Sequence, residues 1–334
     1  MSHHYAMLVA VVLSVGCASA PMTDTSHTEP LLFVSNEASH TISVINTRTN
    51  SVVSTIALDA RPRGIRVSPD GAWLYVALSD EEPGQESSSD AIAVINIGTG
   101  QVTDRLRVGT DPEQFAVSPD GTRLFASNED AGTATAFDLA TRKTLATLVV
   151  GVEPEGVTFS PDGRWIYVTS ETSNTISIID NAQLQVVDNL LVDLRPRDVT
   201  FSADSKRAFV TAEVGGSITV IDTERREVVG TTVLQDGESK PVGIAFASLS
   251  NRLYVAGGRS NTLLVLDGTT LSFIKAVPVG RRPWGVALSP DGLFAYTANG
   301  LSNNVSVIEL ASNTVVATIS VGERPWGVAV GRTR

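Results

Sequence analysis

One stretch decides the fold: Arg282-Pro283-Trp284-Gly285-Val286-Ala287-Leu288-Ser289-Pro290-Asp291-Gly292. Its proline start, its short apolar run and its Ser-Pro-Asp-Gly turn recur, in whole or in part, through most of the chain. The prolines that open the copies are Pro62, Pro112, Pro154, Pro196, Pro241, Pro283 and Pro325, at intervals of 50, 42, 42, 45, 42 and 42 residues. A period of about 42 residues is typical of a four-stranded propeller blade, so the seven copies predict seven blades.

Each copy is predicted to form four short strands, A to D, because β-branched residues alternate there between turn residues. Strand A follows the opening proline, and the Ser-Pro-Asp-Gly turn leads into strand B. Examples of strands B, C and D lie at residues 166–168, 305–308 and 315–319. In strand A of the sixth copy, Val286 and Leu288 face one way while Ala287 faces the other. Large residues of one blade can therefore pack against small residues of the next.

The two ends of the repeat region are incomplete in complementary ways. The last copy holds only a strand A, at residues 327–330, and the first residues after the N-terminal segment form a strand B at 31–36 with no A before it. We predict that the C-terminal strand A pairs with the N-terminal strands B to D and closes the ring. The predicted fold class is all-β: one seven-bladed β-propeller of four-stranded antiparallel blades over residues 31–334.

The amino-acid composition argues against several classes of function. The net charge of −11 argues against nucleic acid and against an anionic membrane surface as partners. A single cysteine allows no internal disulfide and no Cys/His metal motif. Only His40 lies inside the repeats, and all three methionines precede them. A haem enzyme and a Ser-His-Asp hydrolase are therefore disfavoured.

The N-terminus is predicted to be an export signal. Residues 7–15 form an apolar run that is too short to span a bilayer and suits the core of a signal peptide. Cys17 follows in a segment that resembles a bacterial lipoprotein cleavage box, so residues 1–17 are predicted to be a signal peptide ending at a lipidated Cys17. Cleavage after Ala20 and a cytoplasmic start remain alternatives. Residues 18–30 are predicted to be a flexible tether, and the expected location is the periplasm or the outer membrane, with membrane contact only through the lipid.

Residues 31–330 resemble the YVTN-repeat β-propellers. The motifs that carry this resemblance are Tyr167-Val168-Thr169-Ser170, Tyr296-Thr297-Ala298-Asn299 and Phe33-Val34-Ser35-Asn36. One branch is more similar still, the exported propellers associated with PQQ-dependent alcohol catabolism, through segments such as Asp111-Pro112-Glu113-Gln114-Phe115-Ala116 and Asn299-Gly300-Leu301-Ser302-Asn303. The resemblance implies a propeller fold and a pathway association, but no shared catalytic motif.

The loops that join D to A and B to C are predicted to open on one face, called the top, where propellers bind ligands at the axial mouth. The residues predicted to bind a ligand there are Arg61, Arg63, Arg195, Arg197, Arg282, Arg324, Trp284 and Trp326. Guanidinium forks suit carboxylates and indole faces suit flat rings, so a PQQ-like polycarboxylate would match. The predicted metal ligands are Glu113, Glu129, Glu155 and Glu171, whose oxygens suit Ca²⁺. The alternative is that these charges pair across neighbouring blades while the tryptophans pack as hydrophobic plugs.

The scarcity of His, Cys and Met in the repeats favours a non-catalytic extracytoplasmic binding or scaffold protein, with an accessory role in quinoprotein oxidation as one form of it. Two alternatives stay open: a lactonase or lyase that uses a metal held by carboxylates, and a structural or adhesive protein of the cell surface. We expect a monomer that requires no cofactor, with Ca²⁺ or a PQQ-like molecule as candidate ligands. Its partner would be another protein or a small anionic ligand of the cell envelope.

Overall fold

The structure, a computed structural model, describes Met1 and residues 30–80, 87, 89–234 and 238–332. Apart from Met1, the predicted signal peptide with Cys17 lies outside the described residues, as does nearly all of the tether. The described part folds entirely into strands and turns. It contains no helix with the length and apolar character that crossing a bilayer would require.

Twenty-eight strands follow one another along the chain. Those of the first half are β1 (Pro30–Asn36), β2 (Thr41–Asn46), β3 (Ser51–Ala57), β4 (Arg61–Val67), β5 (Trp73–Ser79), β6 (Ala91–Asn96), β7 (Gln101–Leu106), β8 (Pro112–Val117), β9 (Arg123–Asn128), β10 (Thr133–Asp138), β11 (Lys143–Val149), β12 (Pro154–Phe159), β13 (Trp165–Ser170) and β14 (Thr175–Asp180). Those of the second half are β15 (Gln185–Leu191), β16 (Pro196–Phe201), β17 (Arg207–Ala212), β18 (Ser217–Asp222), β19 (Glu227–Val233), β20 (Pro241–Ala247), β21 (Arg252–Gly257), β22 (Thr262–Asp267), β23 (Phe273–Pro278), β24 (Pro283–Leu288), β25 (Phe294–Asn299), β26 (Asn304–Glu309), β27 (Thr314–Ser320) and β28 (Pro325–Arg332).

The strands form seven antiparallel four-stranded sheets, which confirms the predicted seven-bladed propeller. Six blades use four consecutive strands, beginning with β4, β8, β12, β16, β20 and β24. The seventh has the order β28-β1-β2-β3, with Phe33 opposite Ala329 and Leu31 opposite Gly331. The predicted closure is therefore confirmed: a strand from the end of the chain completes a blade begun at residue 30.

The Ser-Pro-Asp-Gly turns have the geometry that their residues predict. In the first blade, the Gly71 amide donates a hydrogen bond of 2.9 Å to the Ser68 carbonyl, and the Ser68 amide donates one of 2.8 Å to the Trp73 carbonyl. Gly71 has a φ of +73°, a conformation that costs glycine little because it lacks a Cβ atom. These turns lie at the face opposite the mouth, which we call the bottom.

Glycines let the innermost strands of neighbouring blades approach closely. Five blades have glycine at the second residue after the opening proline. A Cβ atom built on Gly243 would lie 2.3 Å from the Trp284 carbonyl oxygen, and one on Gly285 would lie 2.7 Å from the Trp326 carbonyl oxygen. The A strands therefore pack backbone against backbone around the axis. The two blades without this glycine carry Gln114 and Asp198 there.

Candidate functional site

The mouth is formed by the residues on either side of the proline that begins each strand A. In six of the seven blades the residue before the proline has a positive φ, for example +44° at Asp111, +55° at Glu153 and +59° at Arg195. This conformation costs a residue with a side chain about 1–2 kcal/mol, so the tertiary structure must impose it. Pairing of strands A and B is irregular just beyond the proline in every blade, as between Pro154 and Val157. A bulge of this kind re-aims side chains, and the mouth residues lie at it.

Three carboxyl groups of the second blade meet at the mouth. Oxygens of Asp111, Glu113 and Glu129 all lie within 4.8 Å of one another. Glu113 is completely buried, and it forms an ion pair with Arg63. Arg61 contacts Asp111, with 3.3 Å between Nη2 and Oδ1. We call Asp111, Glu113 and Glu129 the acidic cluster.

Burial and mutual repulsion change the proton affinity of this cluster. Burial raises the pKa of Glu129 to about 8, and the neighbouring Glu113 raises it further while Arg63 opposes the shift. Burial also raises the pKa of Asp111 to about 6, again assisted by Glu113 and opposed by Arg63 and Arg61. At neutral pH, Glu129 therefore holds a proton while Asp111 is mostly ionised. The cluster offers a proton donor beside a proton acceptor.

A second group of charges centres on Arg197, whose side chain is only 6% exposed. Its Nη2 lies 2.6 Å from Glu155 Oε1, it forms an ion pair with Glu171, and its Nε lies 3.8 Å from Glu213 Oε2. Burial raises the pKa of Glu155, although Arg197 acts in the opposite direction. Glu213 also accepts a hydrogen bond of 2.9 Å from Arg282. We call Arg197 with these three glutamates the arginine node.

The two tryptophans of the mouth stack on each other, with ring centroids 6.3 Å apart and planes at 23°. Trp326 is buried, whereas Trp284 is partly exposed. The guanidinium carbons of Arg282 and Arg197 lie 4.4 and 5.2 Å from the Trp284 ring centroid. Two cations of the protein itself thus cover the indole face of Trp284, and each cation–π contact stabilises the fold by about 0.5–2 kcal/mol.

The structure brings most of the predicted binding residues into two charged groups, with Arg61 and Arg63 beside the acidic cluster and Arg197 and Arg282 in or next to the arginine node. Arg195 also contacts the arginine node, 2.7 Å from Glu171, although half of its side chain is exposed. Arg324 is exposed, and the described residues provide no ion pair for it. The pairing across blades that was the alternative expectation is present: Arg61, for instance, lies 3.3 Å from Glu37 of the seventh blade.

The four predicted metal ligands do not form one group. Glu113 and Glu129 lie together with Asp111, which the predicted set did not include, whereas Glu155 and Glu171 are bound by Arg197. Oε1 of Glu113 is buried, and no N–H or alcohol O–H group of the described residues donates to it. An acceptor of this kind, beside two further carboxyl groups, suits a hard cation such as Ca²⁺. The acidic cluster is therefore the place in the described structure where a metal ion would fit.

The family model described as "Lactonase, 7-bladed beta-propeller" matches residues 23–150 and 193–323. The chain belongs to this lactonase family. No curated protein matches it by sequence.

Solved structures share its architecture over almost the whole chain. A periplasmic gluconolactonase from Pseudomonas aeruginosa is 21% identical, with a TM-score of 0.75, and the match covers 90% of this chain and 99% of that one. A candidate 6-phosphogluconolactonase from Bacteroides uniformis is 18% identical, with a TM-score of 0.74 and coverage of 91% and 100%. Hydrazine synthase from Kuenenia stuttgartiensis is 25% identical, with a TM-score of 0.75 and coverage of 89% and 99%.

The family corrects one expectation drawn from the sequence. The non-catalytic binding or scaffold role is wrong, because the family is one of lactonases and two of the similar structures bear lactonase names. The scarcity of histidine does not exclude catalysis, since carboxyl groups can perform acid–base chemistry when burial shifts their pKa values.

Proposed function

We propose that the protein is a lactonase and that the acidic cluster is its reaction centre. The observation that carries this proposal is the pair Asp111 and Glu129, which lie in one cluster with pKa values of about 6 and 8. Carboxyl groups whose environments separate their pKa values can serve as a base and an acid at the same pH. Membership of the lactonase family supports this assignment.

Opening a lactone by water requires one proton acceptor and one proton donor. The oxygen of water bonds to the carbonyl carbon, and the bond from that carbon to the ring oxygen breaks. Asp111 accepts a proton from the attacking water, and Glu129 gives its proton to the departing ring oxygen. The product is a hydroxy acid, and the two carboxyl groups return to their starting states by exchanging protons with solvent.

Arg61 and Arg63 supply positive charge beside the reacting groups. Arg61 touches Asp111, and Arg63 pairs with Glu113 and approaches Glu37 at 3.3 Å. Fixed cations stabilise the negative charge that develops on the carbonyl oxygen during attack. A divalent cation held by the acidic cluster would also polarise the lactone carbonyl.

The test is hydrolysis of glucono-δ-lactone and a panel of five- and six-membered lactones by purified protein, followed in a pH-stat above the spontaneous rate. We expect Asp111→Asn and Glu129→Gln each to lower the rate by about 10²- to 10⁴-fold. Glu153→Gln is the matched control, because Glu153 has the same place in the third blade as Asp111 in the second but is exposed. Failure to open any lactone, or equal rates in all three variants, would refute the proposal.

The place of action is a second part of the proposal. We propose that the protein is exported and anchored through a lipid on Cys17, supported by the apolar run at residues 7–15 and the cleavage-box resemblance. The similar Pseudomonas aeruginosa gluconolactonase is a periplasmic protein. Mass spectrometry of the membrane fraction should find a diacyl mass on Cys17, whereas a mature chain that begins at Pro21 would contradict the anchor.

Two finer expectations stay predictions: the YVTN repeat type, and the association with PQQ-dependent alcohol catabolism. They rest on motifs such as Tyr167-Val168-Thr169-Ser170. A small anionic ligand at the mouth accords with the guanidinium groups there. Titration with PQQ while tryptophan fluorescence is recorded would test the ligand, since Trp284 is partly exposed; an unchanged spectrum would contradict it.

A further inference from the structure

A cavity of about 520 Å³ lies in the central channel, and strand A of every blade contributes to its wall. Pro69, Pro119 and Pro161 of the bottom turns line it as well, so it reaches the bottom face. It does not involve the acidic cluster or the arginine node. Most of its wall consists of alanine, valine, threonine and phenylalanine side chains, but Arg66 and Asp198 also line it.

These two charged residues depart from the pattern of their positions. The residue equivalent to Arg66 is alanine or threonine in every other blade, and the residue equivalent to Asp198 is glycine in five of the other six. The small counterparts of Arg66 are Ala116, Thr158, Thr200, Ala245, Ala287 and Ala329. The repeat therefore lines the channel with small side chains, and one cation and one anion are added to it.

Neither charge is neutralised by direct contact with the other. Arg66 donates a hydrogen bond of 2.9 Å to the Ile65 carbonyl, and no carboxylate of the described residues lies within 4.0 Å of its guanidinium nitrogens. Asp198 accepts hydrogen bonds from the backbone amides of Ile244 and Val199, at 3.2 and 2.8 Å. The two groups interact only at longer range, and that attraction opposes the effect of burial on the pKa of both.

We infer that this channel cavity is a second binding site, for a small hydroxycarboxylate whose carboxylate pairs with Arg66 and whose hydroxyl donates to Asp198. A guanidinium fork matches the two oxygens of a carboxylate, and a carboxylate accepts from a hydroxyl. The volume lies within the usual range of small-molecule sites, and the valine and alanine side chains of the wall would contact the carbon chain. The choice of hydroxycarboxylate rests on the proposed function, whose product is a hydroxy acid, whereas the site itself rests on Arg66 and Asp198.

The site is distinct from the reaction centre in position. Arg66 follows Arg63 by three residues on the same strand, which corresponds to roughly 10 Å along the axis. A ligand in the channel would therefore leave the acidic cluster free. We expect Arg66 variants to lose the ligand while they retain lactone hydrolysis.

The experiment is calorimetric titration of the full chain with gluconate. We expect one site whose affinity falls about 10- to 100-fold in Arg66→Met and about tenfold or more in Asp198→Asn. Arg48→Met is the control, because it removes the same charge from an exposed bottom position. If Arg66→Met does not fold, the double variant Arg66→Met/Asp198→Asn removes both charges together and replaces it.

The outcomes separate this site from the proposed function. No binding of gluconate, or equal affinity in wild type and Arg66→Met, overturns the channel site. Binding that is lost in Glu129→Gln but kept in Arg66→Met places the ligand at the mouth and likewise overturns it. Binding that depends on Arg66, in a protein that opens no lactone, upholds the site and overturns the lactonase proposal.

Discussion

Replacing Arg197 with methionine tests whether the arginine node stabilises the fold. The Arg197 side chain is 6% exposed, and those of Glu155 and Glu171 are 7% and 6% exposed. Removing one partner of a buried ion pair costs about 3–5 kcal/mol, because the other charge stays buried without compensation. Glu155 can escape this cost by taking up a proton, since burial raises its pKa and the variant loses the Arg197 charge that opposes this shift. We therefore expect Arg197→Met to lower the free energy of unfolding by about 3 kcal/mol, the lower end of that range.

The assay is equilibrium unfolding in urea at neutral pH, followed by circular dichroism. Arg195→Met is the matched control, because Arg195 contacts Glu171 and Glu213 as well but is half exposed. Exposed ion pairs contribute about 0–1 kcal/mol to the free energy of unfolding, so Arg195→Met should change that free energy little. The cost of Arg197→Met should shrink toward about pH 5, where the unpaired carboxylates take up protons in the folded state. Equal losses of unfolding free energy in Arg197→Met and Arg195→Met would refute the argument that burial makes the Arg197 ion pairs important for stability.

Three further results are expected. Initial rates of lactone hydrolysis should rise as Asp111 ionises near pH 6 and fall as Glu129 loses its proton near pH 8; a flat profile would contradict the assignment of base and acid. Gly243→Ala should lower the free energy of unfolding, measured by thermal denaturation, by about 1–3 kcal/mol, because the added Cβ would lie 2.3 Å from the Trp284 carbonyl oxygen. Gly230→Ala, with nothing within 4 Å of the new Cβ, should be neutral, and equal effects would dismiss the packing argument. Added Ca²⁺ should raise the melting temperature of the wild type but not of Glu129→Gln, and equal rises would exclude the acidic cluster as the site.

The fold was predictable because its determinants are local and repeated. The prolines at a spacing of about 42 residues and the Ser-Pro-Asp-Gly turns fix strand boundaries through the dihedral preferences of proline and glycine. Closure of the ring followed from the count of strands alone, since β28 has no strand B after it in the sequence and β1 has no strand A before it. None of these steps needed a distance between residues that are far apart in the sequence.

The pairing of charges at the mouth was not predictable in the same way. Asp111 and Glu153 occupy equivalent places in the repeat, yet the first is buried and the second is exposed. Their difference comes from neighbouring side chains, such as Arg61, which approaches Asp111 but is 50 residues away in the sequence. Glu155 was grouped with the metal ligands for the same reason: its contact with Arg197 of the next blade depends on the geometry of the ring.

The closure between β28 and β1 ties the solubility of the protein to the integrity of its chain. A polypeptide that ends before residue 325 would leave the inner edge of β1 unpaired, and an open edge of this kind recruits strands from other molecules. During synthesis the ring cannot close until β28 has left the ribosome. Proteolysis or premature termination that removes β28 would thus produce species prone to strand exchange and aggregation.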